Sequence, residues 1–224
     1  MIGKTTVNTS QWNANAVVLI ESPLAKAHRR LMLRLARFSV LVRKDMKIMD
    51  MGCGCGPFLA YFWAQGYHNL AAIEPDPALT KKIPSHIQGD VRHGRAERID
   101  FTEASFDVVF VYCVLHHLKG IDAYRAACAE IHRILKPGGM VFISEPGRYR
   151  VFLALETAAY ILGRFSKTFK AFYATMEEER PEQHFFLKNH GAVRQSLLDK
   201  GFLVLKDDYF FYSWIFTAQK QIKL

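Results

Sequence analysis

A glycine stands at every second position in Asp50-Met51-Gly52-Cys53-Gly54-Cys55-Gly56-Pro57, directly after a short apolar run, Lys47 to Met51. Glycine bends a chain sharply and lets backbone approach a ligand with no Cβ in the way. A strand that empties into such a bend and resumes as a helix, Phe58 to Gln65 with Gly66 as its stop, opens a strand–helix–strand unit. Leu70 to Glu74 reads as the next strand, and Asp76 to Lys82 as a helix begun near Pro77. A short strand near Val91 and a stronger one at Phe106 to Tyr112 follow. Ile121 to Leu135 is a long helix closed by Lys136-Pro137-Gly138-Gly139, and Met140 to Glu145 is a fifth strand.

Such alternation predicts a parallel sheet with helices on both faces. Right-handed crossovers then put the strand C-termini on one edge, where ligands bind in such folds. Gly52, Glu74, Ala96, Cys113 and Glu145 are therefore expected around one crevice. Residues 147–190 are helical in composition and aromatic-rich, carrying Arg164, Lys167 and Lys170 and then Glu177, Glu178 and Glu179. Their place after the fifth strand predicts a lid or substrate wall. Phe152, Tyr160, Phe165, Phe169, Phe172 and Tyr173 either wall an apolar molecule or pack the insert on the domain. Gly191 to Asp199 is another helix. Phe202 to Lys206 and Tyr209 to Ala218 read as closing strands, joined at Asp207-Asp208 by a turn short enough for an antiparallel hairpin. The expected organisation is one domain over 1–224: a helical N-terminal segment 1–46, a core 47–146, an insert 147–190 and a closing helix and hairpin 191–224.

A chain of 224 residues can bury a full core. The longest apolar run, Val151 to Leu162, is broken by Glu156 and Thr157 and is too short to span a bilayer. Met1 to Asn15 is polar with no hydrophobic signal core, so a cytoplasmic protein is expected. Cys53-Gly54-Cys55 has no second cysteine pair and no histidine at ligand spacing, and unpaired thiols rather than a metal site are expected. The net charge of +9 is concentrated in Lys26, Arg29, Arg30, Arg34, Arg37, Arg43, Lys44 and Lys47, against Asp45 alone. Leu24, Ala27, Leu31, Leu35 and Phe38 recur between them at helical spacing. That predicts an amphipathic basic helix over 24–44, docked on its apolar face. Its basic face is either solvated or meets nucleic acid, a membrane surface or an anionic substrate. No aromatic-interleaved RNA motif accompanies it.

The glycine loop is not a dinucleotide fingerprint. In G-x-G-x-x-G the third glycine falls on Pro57 in one register and on Leu59 in the other. Glu74 ends the second strand about 20 residues on, where an acidic side chain accepts hydrogen bonds from ribose hydroxyls. The pair points to a nucleoside ligand.

Asp50–Gly56, Glu74, Gly94-Arg95-Ala96-Glu97, Ser105-Phe106-Asp107-Val108-Val109, Leu115-His116-His117-Leu118 and Leu135-Lys136-Pro137-Gly138-Gly139 follow in the order seen in class I methyltransferases. The chain most resembles the small-molecule branch called methyltransferase type 11, over residues 47–145. The resemblance implies a three-layer Rossmann-like α/β fold, with a seven-stranded, mostly parallel sheet and an antiparallel last strand. It implies S-adenosyl-L-methionine as cofactor and S-adenosyl-L-homocysteine as product. Asp50, Gly52, Gly54, Gly56, Glu74, Pro75, Ala96, Glu97 and Cys113 are the implied cofactor contacts. Many relatives carry Asp at the place of Arg95, and arginine cannot accept a hydrogen bond from adenine. Backbone groups or Glu97 would then substitute.

For a hydroxyl acceptor a histidine is a suitable general base. His117 is the leading candidate, with His116 and His184 beside it and Tyr112, Glu145 and His190 behind; a helix-opening structural histidine is the alternative. The expected partner is a small, apolar or lipid-like acceptor, methylated on O, N or C. Two other classes stay open: a nicotinamide oxidoreductase, and a non-catalytic cofactor-binding subunit that docks through the basic helix. A base-amino methyltransferase would carry N-P-P-[YFW] where Tyr112-Cys113-Val114-Leu115 stands.

Overall fold

A computed structural model describes residues 23–222; the expectation for residues 1–22 lies outside the described residues. Seven strands form one sheet in the order β3-β2-β1-β4-β5-β7-β6. They are β1 (Ile48–Met51), β2 (Leu70–Glu74), β3 (Asp90–His93), β4 (Phe106–Tyr112), β5 (Leu135–Pro146), β6 (Phe202–Phe210) and β7 (Ser213–Lys220). Neighbours among the first five run parallel, and β7 is antiparallel to both β5 and β6. Every residue of β1 and β2 is buried, the pattern of central strands covered on both faces.

The two-residue period of the strands divides the core. Met49, Met51, Ala71, Ile73, Val109, Val111, Val141 and Ile143 face one side, under Tyr124, Ala127, Cys128 and Ile131 and under Val193 and Leu197. Those two sets come from helices Ile121–Ile134 and Gly191–Asp199. On the other side Ile48, Leu70, Ala72, Val108, Phe110 and Phe142 meet Phe58, Leu59 and Phe62 of helix Pro57–Ala64. The remaining long helices, Tyr149–Leu162 and Lys167–Asn189, follow β5 and pack on each other. Pro181 lies inside the second of them.

Three expected boundaries move. The basic helix over 24–44 is two helices, Pro23–Leu35 and Phe38–Leu41, broken at Arg37 in a left-handed turn (φ 55°). The turn drops Phe38 against Phe62 and Phe142, at ring distances of 4.9 and 5.1 Å. The docked face is also rotated: Arg29, Met32, Leu33 and Ala36 are buried, while Ala27 and Leu31 are exposed. Arg29 goes inward because its guanidinium sits over the Phe58 ring at 5.9 Å, an apolar stem with a cation–π seat. Arg30, Arg34 and Arg37 do present a solvent-facing stripe.

The closing hairpin turns at Phe211-Tyr212, not at Asp207-Asp208. Asp207 lies in β6, where its carboxylate accepts from Trp214 Nε1 at 2.9 Å and pairs with Arg194 at 2.6 Å. The Tyr212 carbonyl accepts from Gly147 N at 2.7 Å and fixes the turn. Strand β5 begins at Leu135, ahead of the expected Met140, because Leu135 pairs with Phe106 before the register shifts.

Candidate active site

The glycine bend is built by β1 and closed on its neighbours. Gly52 and Cys53 donate their N–H groups to the Ile73 carbonyl, at 2.9 and 3.1 Å, which ties the bend to the end of β2. Gly52, Gly54 and Gly56 all have positive φ, a region that costs other residues energy. Their surroundings differ. A Cβ on Gly52 would strike Val114 at 2.6 Å and one on Gly56 would strike Ile83 at 2.9 Å, whereas one on Gly54 would meet nothing within 4 Å. Gly52 and Gly56 are thus glycines for packing, and Gly54 opens onto unfilled space.

Glu74 is buried at the edge of that space. Its Oε2 accepts from Gly54 N at 2.9 Å and its Oε1 from Asp76 N at 3.0 Å. Burial raises its pKa, against the two backbone donors. Asp50, one strand over, is 2% exposed, and its Oδ2 has no hydrogen-bond partner. Burial and the nearby Glu74 lift its carboxyl to about 8. A buried, unpartnered carboxyl beside a second acidic group calls for a positively charged ligand group. Glu97 presents another buried oxygen with no partner, Oε2, while its Oε1 faces exposed Arg95 at 3.6 Å. Ala96 is buried and Pro75 exposed on the same rim. Cys113 sits in a left-handed conformation (φ 54°) at the end of β4, and burial pushes its thiol pKa well up.

The contact between Gly52 and Val114 joins the bend to the one-turn helix Leu115–His117. Glu145, 1% exposed at the end of β5, holds that turn from below. Its Oε1 accepts from the N–H groups of Val114 and Leu115, at 2.7 and 2.8 Å, and its Oε2 lies 2.7 Å from His116 Nδ1. On the other side Glu179 of helix Lys167–Asn189 approaches, its Oε2 3.5 Å from His116 Nε2 and its Oε1 3.9 Å from His117 Nε2. Burial alone would lower the pKa of His116, but Glu145 and Glu179 raise it to about 10, so it stands as an imidazolium between two carboxylates. His117 is part-exposed, 39% of its side chain reaching solvent, and its pKa is pushed down by the desolvation of the rest of the ring and by the charge of His116. The three side chains His116, His117 and Glu179 could also hold a metal ion, their ligand atoms lying within 4.8 Å of one another. A proton on His116 serves both carboxylates without one.

The other candidates sit elsewhere. His184 packs edge-on against Tyr149 and Phe152, at 5.1 and 6.1 Å, with its Nε2 unpartnered. His190 spans the Leu187 carbonyl and the Tyr209 hydroxyl, at 3.2 and 2.8 Å, in a structural role. Tyr112 is bonded through its hydroxyl to His28 Nδ1 at 2.7 Å. His28 arrives from the first helix and had no motif to mark it, like Glu179 in its acidic run. Of the six aromatics expected either to wall an apolar molecule or to pack the insert, Phe152 is buried with Met176 and Leu187, and Phe172 packs on them. Tyr160 and Phe165, at 52% and 84% exposure, face solvent instead.

Residues 49–143 match the family model described as "Methyltransferase domain". Among curated proteins the chain is similar to a ubiquinone biosynthesis O-methyltransferase of Maricaulis maris, at 30% identity over 128 residues, covering 54% of this chain and 49% of that protein. The chain spans about half the length of the curated relatives it matches. Its fold is similar to that of a Pyrococcus horikoshii protein, with a TM-score of 0.63 at 14% identity over 90% of this chain and 93% of the other. It is also similar to an S-adenosylmethionine-dependent methyltransferase of Mesorhizobium loti, with a TM-score of 0.56 at 13% identity over 84% and 96% of the two chains.

Proposed function

We propose, from the premise that residues 49–143 are a class I S-adenosylmethionine-dependent methyltransferase domain, that this protein methylates a hydroxyl on a small apolar acceptor. The residues on the rim fit the cofactor's chemistry. Its amino and sulfonium groups are the cationic groups that unpartnered Asp50 calls for. Its ribose hydroxyls are donors for Glu74, and its adenine amino group is a donor for the free oxygen of Glu97. Gly54 leaves room for backbone contact. When bound, the cofactor supplies a methyl group already activated by its sulfonium.

The chain's own task is to orient the acceptor, keep water out and take up the hydroxyl proton. Alignment of two bound reactants removes up to about 7–11 kcal/mol of barrier in favourable cases. A charged nucleophile and a cation neutralise each other in the transition state, so a dry site speeds their reaction. Helix Lys167–Asn189 brings Glu179 over His116 and beside His117 and supplies part of that cover.

The assignment of the proton rests on one arrangement: His116 lies between the Glu145 and Glu179 carboxylates, which favour its cation, while part-exposed His117 beside it has its pKa pushed down and stays neutral. An imidazolium cannot accept a proton, and a neutral imidazole can. His117 Nε2 is therefore the base, and His116 with Glu145 positions it. The O-methyltransferase relative is consistent with a hydroxyl acceptor. The test is incubation with methyl-labelled cofactor and a panel of phenols, catechols, hydroxylated isoprenoids, amines and carbon acids, read by product mass. Labelled ether in any of them supports the assignment. Label appearing only on amines or carbon acids would overturn hydroxyl methylation.

A further inference from the structure

Between Thr157 and Met176 the chain carries no acidic residue and three basic ones, Arg164, Lys167 and Lys170. The helices Tyr149–Leu162 and Lys167–Asn189 meet in this stretch, and the bend between them is apolar on its outside. Tyr160, Ile161 and Leu162 are 52%, 52% and 42% exposed, and Phe165 is 84% exposed. Four large apolar side chains uncovered within six residues are not the scattered surface hydrophobics that folded proteins tolerate.

The bend is held firmly. A Cβ on Gly163 would lie 2.9 Å from the Ala159 carbonyl and 3.2 Å from Lys170 Cα. Glycine there lets the second helix cross close over the end of the first. The crossing leaves Tyr160, Ile161, Leu162 and Phe165 on the outside, and Arg164 sits over the Tyr160 ring at 5.6 Å. Lys167 and Lys170 are exposed beside them and carry no ion pair among the described residues.

We propose that this bend docks on the surface of an anionic lipid bilayer, with Ile161, Leu162 and Phe165 entering the headgroup–acyl boundary and Arg164, Lys167 and Lys170 meeting lipid phosphates. Charge complementarity selects that occupant. A second copy of the same bend would set three cations against three, and an acyl surface without negative headgroups would leave them unmatched. Apolar insertion with basic flanks is the usual composition of an interfacial anchor, and each basic side chain near an anionic leaflet adds to the attraction. No described helix is long and apolar enough to cross a membrane, so the contact is peripheral. The site itself plays no part in the inference, which stands or falls apart from methyl transfer.

The experiment is sedimentation with vesicles of phosphatidylcholine, alone or mixed with phosphatidylglycerol, at low and at high salt. The whole chain should partition onto the mixed vesicles and not the neutral ones. The Ile161→Ser/Phe165→Ser pair should lower partition about tenfold or more, as should Lys167→Glu/Lys170→Glu. Leu203→Ser, which changes an equally exposed apolar residue at the start of β6, should bind as the parent does. Parental melting curves for all three variants keep misfolding out of the comparison. Equal binding by every variant would overturn the proposal, as would indifference to phosphatidylglycerol. Concentration-dependent dimers in light scattering that vanish in Phe165→Ser, with no vesicle binding, would assign the bend to a second copy of the chain instead.

Discussion

His116 Nδ1 lies 2.7 Å from Glu145 Oε2, with 3% and 0% of the two side chains left to solvent. Glu145 therefore neutralises a buried imidazolium and, through its other oxygen, holds the turn that carries both histidines. Removing one partner of a buried pair typically costs about 3–5 kcal/mol, because the other charge stays buried. Glu145→Gln keeps an acceptor for the turn but loses the charge. The pKa of His116 is raised on folding, so its stabilisation is full below the unfolded value near 6.5 and is lost as pH rises toward 10. Urea melts should show the largest deficit for Glu145→Gln near pH 6 and a smaller one at pH 10. A deficit independent of pH would mean that His116 is neutral in the folded protein.

Asp50 works in the opposite sense. Its carboxyl is raised to about 8 in the folded chain, so the folded state holds a proton that the unfolded state releases near pH 4. Stability is then lost as pH climbs from about 4 to 8. Asp50→Asn removes that penalty: its melting temperature should match the parent at pH 4 and exceed it at pH 8, by about 2–4 °C for each kcal/mol relieved. The same variant should bind S-adenosylhomocysteine more weakly, since the amino group loses its counter-charge. Stability gained with affinity lost marks a group kept for its ligand. Parallel movement of the two would place Asp50 in the core alone.

Gly54→Val separates the loop's two jobs. The left-handed φ costs a branched residue about 1–2 kcal/mol, yet no atom stands in the way of the new side chain. The fold should survive with a slightly lower melting point, and calorimetry should find no cofactor binding. Undiminished affinity would move the ligand off this bend.

Glu74→Ala should weaken cofactor binding by about 1–3 kcal/mol through lost charged hydrogen bonds. It should also loosen the bend, because Gly54 N and Asp76 N lose their acceptor. Glu74→Gln keeps an acceptor and separates the two effects: the melting point should return while affinity does not. Full affinity in Glu74→Ala would remove the carboxylate from the ribose.

Much of this fold was legible because its signals are local. Short continuous apolar runs marked β1, β2 and β4, and glycines with positive φ sit where Gly52 to Gly56 and Gly66 predict bends. The misplaced features depend on tertiary contact. Nothing in the pattern around Asp207 says that its carboxylate will hold Trp214 across the hairpin, so an acidic pair read as a turn. Arg29 counts in the sequence only as one of the clustered basic residues, because its seat, the Phe58 ring, comes from another element. Glu179 read as one member of an acidic run; only the packing of its helix over Leu115–His117 turns it toward the histidines. The sequence put His117 ahead of His116 but carried no sign of the Glu145 contact that divides their roles, because it spans from the turn after β4 to the end of β5.

That division gives the sharpest test of the mechanism. His117→Ala removes a part-exposed ring that strands no buried charge and should cost less stability than His116→Ala. Loss of a general base should slow methyl transfer about 10²–10⁴-fold with cofactor affinity unchanged. His116→Ala strands Glu145 in the interior without its cation and should fail first in stability. The parent's pH profile carries an independent sign. Because the pKa of His117 is lowered, its nitrogen remains a free base as pH falls through the ordinary histidine range, and kcat/KM should stay level there and decline only in stronger acid. A decline centred near 6.5, or undiminished turnover in His117→Ala, would take the proton away from this histidine.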